Sequence, residues 1–162
     1  MFKNKINKII ELIWKIKTDI TIPLISELLD WFYEILYIHF NKNEPNHKYQ
    51  KWEIYFVNLW KNIWSELNKT RPCIIYSIKP YNNKSWAIII PLKSLKNKKI
   101  IEKFQVKIDK NEINNLNKSS LIDIFYIRNI SSKRINKYIW KLNKNDLLEI
   151  DNKVSKMFWI KK

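Results

Sequence analysis

The chain is 162 residues long and contains no glycine. At the usual frequency of about 7%, a chain of this length holds roughly 11. Glycine enters left-handed backbone and tight turns without steric cost. Every such place here must therefore be filled by a residue that carries a side chain. Asn tolerates those conformations better than most and occurs 20 times, so a glycine-free fold is feasible. A second departure accompanies the first: there are eight tryptophans.

Charge narrows the partner. Lys and Arg total 31 against 15 Asp and Glu, a net charge of +16, which points to a polyanion. No apolar run approaches the ~18 residues of a membrane span, so no membrane partner is expected. Lys3, Lys5, Lys8 and Glu11 interrupt any signal-peptide core. Cys73 is the sole cysteine, and His39 and His47 are the only histidines. That excludes an internal disulfide framework and a Cys-based zinc site. A cytoplasmic protein without metal or cofactor is expected. Lys, Ile and Asn make up 78 of the residues, the mark of an A/T-rich gene. Only Arg71, Arg128 and Arg134 remain as arginines. Where lysine is the default, a retained arginine marks a need for a planar, multi-donor guanidinium.

The chain divides by charge. Residues 1–45 hold six lysines and six carboxylates, so residues 46–162 carry the whole excess. In the first part Ile6, Ile9, Ile10, Ile13 and Ile16 recur at helical spacing. A second helix is predicted after Thr21, with Pro23 in its first turn and Leu24, Leu28, Leu29, Phe32, Ile35 and Leu36 among its apolar positions. Such a neutral helical hairpin suits packing or dimerisation better than catalysis. The polar stretch 41–50 (NKNEPNHKYQ) reads as the linker. Beyond it, short apolar runs of strand length occupy 53–59, 72–78, 87–92, 104–108 and 121–127, and a helix is predicted over 143–157. The fold class is mainly β (α+β): a small antiparallel barrel with a C-terminal helix (46–162), preceded by the helical hairpin (1–45).

One segment is specific. Residues 52–77 read WEIYFVNLWKNIWSELNKTRPCIIYS: a strand, a polar loop, then Arg71-Pro72 opening a second strand. Glu53, Ile54, Tyr55, Val57, Leu59, Ser65, Glu66, Lys69, Arg71 and Pro72 fall in order on the pattern G-E-I-Y-x-V-x-L then G-S-E-x-x-K-x-R-P. That pattern resembles the MazF/PemK family of toxin endoribonucleases. Residues 88–94 (IIIPLKS) resemble the family strand ending P-L-T-S. Residues 120–135 (SLIDIFYIRNISSKRI) resemble its S-x-V-L-x-D-Q-I-R-T-I-x-K-x-R-I block, and 138–142 with the closing helix resemble its ending. The resemblance covers 50–160, and all three arginines fall on its motifs.

The resemblance implies an SH3-like barrel, usually a homodimer, that cuts single-stranded RNA without metal. The 2′-hydroxyl attacks, leaving a 2′,3′-cyclic phosphate and a 5′-hydroxyl. It implies a cognate antitoxin with an acidic inhibitory segment, and operator DNA reached through the antitoxin complex. It implies Arg71 as the catalytic arginine, Glu66 as base or positioning group, and Ser94 as a hydroxyl beside them. Lys69, Lys93, Tyr126 and Arg128 are assigned to RNA binding, with Arg134 as a cap or ion-pair residue. Two departures stand out: Lys93 replaces the family threonine, and Phe125-Tyr126 replaces its D-Q, so base recognition is expected to differ, by stacking. The rival is a non-catalytic RNA- or antitoxin-binding module that lost cleavage with the threonine. Cys73 reads as core packing, and the lysines of 96–99 as a solvated loop.

Tryptophans among lysines ordinarily suggest stacking platforms for single-stranded nucleic acid. Against the family pattern, however, Trp52, Trp64 and Trp140 fall on glycines, and Trp60, Trp86 and Trp159 fall where many members have glycine. Absent glycine and surplus tryptophan then have one common explanation: UGA codons, read as glycine in some bacterial codes and tryptophan in others.

Overall fold

A computed structural model describes residues 2–15, 21–41, 49–60, 67, 69–77, 85–95, 102–110, 116 and 118–160. The chain splits into two compact units, Met1–Lys42 and Asn43–Lys162. The first contains helices α1 (Phe2–Lys15) and α2 (Thr21–Asn41), and Pro23 does sit in the opening turn of α2, where a missing N–H is tolerated. Ile6, Ile9 and Ile10 of α1 are exposed, as are Leu28, Leu29, Phe32 and Leu36 of α2. Among the described residues no helix is long and apolar enough to cross a membrane.

The second unit is a seven-stranded antiparallel sheet closed by a C-terminal helix. Its strands are β1 (Glu53–Asn58), β2 (Thr70–Ile75), β3 (Trp86–Ser94), β4 (Gln105–Ile108), β5 (Ser120–Asp123), β6 (Arg128–Ser131) and β7 (Ile135–Lys141). The path runs β4-β5-β3-β2-β1-β7, with β6 also on β3. The long β3 joins the two halves. Its first residues pair with β6, its middle with β2, and Leu92 to Ser94 with β5.

Side chains alternate across a strand, and both faces of β1, β2 and β3 are covered, which is why these runs read as almost wholly apolar. One face sends Tyr55, Val57, Cys73, Ile75, Ala87 and Ile89 into a core with Ile130 and Ile135. The other sends Ile54, Ile74, Ile90 and Leu92 against β4, β5 and the helix α3 (Lys144–Met157), through Ile150 and Val154. Helix α3 starts where Asn143 Oδ1 accepts the Asp146 N–H at 2.9 Å, an N-cap that satisfies an orphan donor. Asp151 ties it to the barrel by accepting from Tyr76 Oη at 2.8 Å.

Two strands differ from the expectation. The run 121–127 is not one strand. After β5, Asp123 caps a 3-10 turn (Ile124–Tyr126) by accepting the Phe125 N–H, and the chain re-enters the sheet as β6. Strand β7 carries no long apolar run, because its central residues 136–138 face outward and register shifts interrupt its pairing with β1.

Positive φ occurs, among the described residues, at Trp52 (77°), Trp60 (65°), Lys69 (65°) and Trp159 (56°). Trp52 sits in the turn before β1, its N–H donating to Ile75 O at 2.7 Å. Trp159 ends α3. The Ile160 N–H reaches Ser155 O at 2.9 Å and the Trp159 N–H reaches Lys156 O at 3.4 Å. These are the two bonds of a Schellman cap, in which the left-handed position is usually glycine.

Candidate active site

Strands β1, β2 and β7 and the end of β3 surround a pocket of about 660 Å³. Its cations are Lys69, Arg71, Lys93, Lys118 and Lys137, and among the described residues no carboxylate lines it. Phe56 of β1 and Tyr138 of β7 lie on its wall and are 37% and 48% exposed, so two rings stand open beside the charges. Five cations beside exposed rings are the side-chain chemistry that suits a polyanion with stacking groups.

Arg71, Lys93 and Lys137 are placed by β2, β3 and β7, and Lys69 and Lys118 by the turns that lead into β2 and β5. Arg71 faces Val57 in the β1–β2 ladder, one residue before Pro72, and is half-buried. Lys69 has its left-handed φ because the loop ahead of β2 closes there: Leu59 N–H donates to Lys69 O at 3.0 Å, and Lys69 N–H to Trp60 O at 2.9 Å. Ser94 is exposed at the end of β3, paired in register with Ser120. Lys93 donates to Asp123 Oδ2 at 3.0 Å and lies 3.7 Å from the centre of the Tyr126 ring. Asp123 is 4% exposed.

Of the residues predicted for the site, Lys69, Arg71, Lys93 and Ser94 therefore share one pocket. Tyr126 reaches it through Lys93. Arg128 does not line it: it opens β6 opposite Ile89. Arg128 and Arg71 both lie near the buried Cys73 thiol, which burial pushes up and these two positive charges partly hold down. Arg134 is lowered to about 10, by burial and then by the charge of Arg128. Its guanidinium lies 3.4 Å over the Trp60 ring, and among the described residues no carboxylate makes an ion pair with it. Glu66 and Ser65 lie outside the described residues. Glu53 has a structural place, its Oε2 accepting from Gln50 N–H at 2.8 Å and Tyr55 Oη at 2.9 Å.

A model of the PemK-like, MazF-like toxin of type II toxin–antitoxin systems matches residues 50–158, which comprise all seven strands and α3. The chain belongs to this family. Solved structures of its members share the fold at low identity. MazF from Deinococcus radiodurans aligns with a TM-score of 0.59 at 16% identity, over 71% of this chain and all of that one. Mycobacterium tuberculosis toxin MazF-mt6 gives 0.54 at 15% identity, over 68% and 99%. A mycobacterial endoribonuclease in complex with its cognate antitoxin gives 0.56 at 10% identity, over 70% and 98%. No curated protein sequence matches.

Within the MazF-like barrel, sequence reasoning missed Lys118, Lys137, Phe56 and Tyr138. The last three lie on exposed strand positions, and for Lys137 and Tyr138 the signal was the exposed run of polar and aromatic side chains in β7. Lys118 becomes a site residue only because β5 folds back beside β3.

Proposed function

We propose that this toxin is a metal-independent endoribonuclease acting on single-stranded RNA. The observation that carries the proposal is the pocket in which Arg71 and four lysines converge. In the proposed reaction the RNA 2′-oxygen attacks the adjacent phosphorus while its proton passes to a base. The bond to the 5′-oxygen breaks, and that oxygen takes up a proton. The products are a 2′,3′-cyclic phosphate and a 5′-hydroxyl. The phosphorane carries an extra negative charge, and the Arg71 fork is suited to it by charge and by two parallel N–H donors. Glu66 is the proposed base or positioning group. Ser94 supplies a hydroxyl for the leaving oxygen, Lys69 and Lys93 hold flanking phosphates, and Tyr126 and Arg128 support the RNA beyond them.

The proposed setting is a cytoplasmic homodimer, silenced by an antitoxin whose acidic segment covers the basic groove and reaching operator DNA through that complex. The neutral helices of residues 1–45 are proposed as a dimerisation or packing element. One observation favours the rival, a binding module without catalysis: the residue at the threonine position is a lysine held by Asp123. Incubating single-stranded RNA with wild type and with Arg71→Ala separates the two. Cleavage by wild type and its loss in the variant, at matched RNA binding, supports the enzyme. Intact RNA with both supports the binding module.

A further inference from the structure

The two departures from the family motifs meet in space. Lys93 Nζ lies 3.0 Å from Asp123 Oδ2 and 3.7 Å from the Tyr126 ring centre. Asp123 cannot turn away, because Gln105 Nε2 donates to Oδ2 at 3.1 Å and the Phe125 N–H donates to Oδ1 at 3.3 Å. A lysine ordinarily carries its charge on a freely rotating stem. This one is confined between a buried carboxylate and an aromatic face, yet its side chain keeps 25% exposure and lines the pocket with Arg71. Extending the β2–β3 register two residues past its last bridged pair, Cys73 with Pro91, would bring Arg71 opposite Lys93. An ammonium has three donors, and Asp123 engages one.

We propose that Asp123 and Tyr126 are positioning residues that hold the Lys93 ammonium as a fixed phosphate-binding cation beside Arg71. Lys93 then grips the RNA phosphate next to the one on which Arg71 acts. This rests on the ribonuclease function proposed above, but binding tests it without cleavage. The probe is a single-stranded oligonucleotide with 2′-deoxyribose throughout, titrated at several salt concentrations against wild type, Lys93→Ala, Asp123→Asn and the double variant. Lys93→Ala is expected to weaken binding about tenfold and to reduce the salt slope by about 0.7. Asp123→Asn is expected to weaken binding as well, and the double variant to bind no worse than Lys93→Ala. Tyr126→Leu, on a turn rather than in the core, gives the same direction at unchanged Tm should Asp123→Asn fail to fold. With cleavable RNA, Lys93→Ala raises KM more than it lowers kcat. Unchanged affinity and salt slope in Lys93→Ala, or full additivity in the double variant, overturns the proposal. Wild type that binds as described but cuts no RNA sinks the ribonuclease function and leaves this one standing.

A second observation is independent of the site. Among the described residues, three of the four with positive φ are tryptophans, a residue type with no affinity for that region. At Trp159 the indole is 91% exposed and sits at the left-handed position of a Schellman cap. At Trp60 the buried indole Nε1 has no hydrogen-bond partner among the described residues. We infer that positions 52, 60 and 159 are glycines in the gene's own product, encoded by UGA. The backbone observation does not extend to Trp86 and Trp140, which lie in β3 and β7, and Trp64 is outside the described residues. Reading the three codons tests the inference. UGA at all three, with glycine in peptides of the protein from its native host, supports it, and UGG at any of them overturns it for that position.

Discussion

A left-handed backbone costs an L-residue with a side chain roughly 1–2 kcal/mol, and the identity of the side chain decides whether contacts offset that cost. Trp159 makes none worth the name at 91% exposure. Trp159→Gly is accordingly expected to raise stability by about 1 kcal/mol, measured by urea unfolding. Trp60→Gly yields less, since it also removes the face on which Arg134 lies at 3.4 Å. Trp140 sits in an extended strand and is 7% exposed in the α3-side core. Trp140→Gly is expected to cost about 3–5 kcal/mol by the same measurement. The same substitution thus changes sign with backbone conformation and burial.

At the level of elements, β1, β2, β3 and α3 were legible because each carries a pattern that local physics imposes. Two buried faces make an apolar run, and α3 shows helical spacing behind an Asn cap. Arg71-Pro72 does stand at the opening of β2, which runs from Thr70 to Ile75 rather than over 72–78. Strands β6 and β7 were not legible. Asp123 ends β5 with a side chain that caps a 3-10 turn, and nothing in SLIDIFYIR announces that the carboxylate turns inward. The Lys93–Asp123 pair joins residues thirty positions apart, and Lys118 and Lys137 converge on Arg71 only after the strands pair. Periodicity reports which face is buried; it does not report which distant strand lies opposite.

The cap of α3 tests the element locally. Asn143→Ala removes the acceptor for the Asp146 N–H, and is expected to cost about 1 kcal/mol in thermal or urea unfolding. The barrel's buried phenols give a pH signature. Burial raises Tyr49 to about 12, and Tyr55 and Tyr76 lie higher still, each raised first by burial and then by a hydrogen bond to a carboxylate, Glu53 or Asp151. A folded value above the unfolded one means that the native state holds its protons longer. The associated stability is complete below the ordinary tyrosine value of 10.0 and falls as pH rises towards 12. Arg134, lowered to about 10, runs the other way over that range, but it is one group against three. Alkaline titration is therefore expected to show exposed tyrosines ionising first and these three ionising together with unfolding.

At the scale of the whole molecule, charge and fold divide along the same line. Residues 1–45 are neutral, and the barrel carries the +16. Residues 43–162 form a compact unit by themselves. A chain shortened to that unit is expected to unfold cooperatively and, on the proposed function, to bind single-stranded RNA with the salt slope of the full chain, because the five pocket cations all remain. A large loss of slope would mean that the helical segment contacts the RNA. The barrel's membership of the MazF-like toxins was legible from the order of Glu53, Lys69, Arg71 and Pro72, since these residues build one strand pair and the loop between them. The lining of the pocket was only half legible, because Phe56, Lys118, Lys137 and Tyr138 come from elements whose meeting depends on the closed sheet.

The most direct test of the central claim is a chemical one, made on the ends of the cut RNA. Wild-type protein is incubated without added metal with a single-stranded RNA, and with the same RNA carrying one 2′-deoxyribose 5′ to the cut phosphate. Cleavage of the first to a 2′,3′-cyclic phosphate and a 5′-hydroxyl, none at the substituted position of the second, and a rate about 10²–10³ lower with Arg71→Ala is the expected result. Cutting at the 2′-deoxy position, or a wild-type rate with Arg71→Ala, would contradict it.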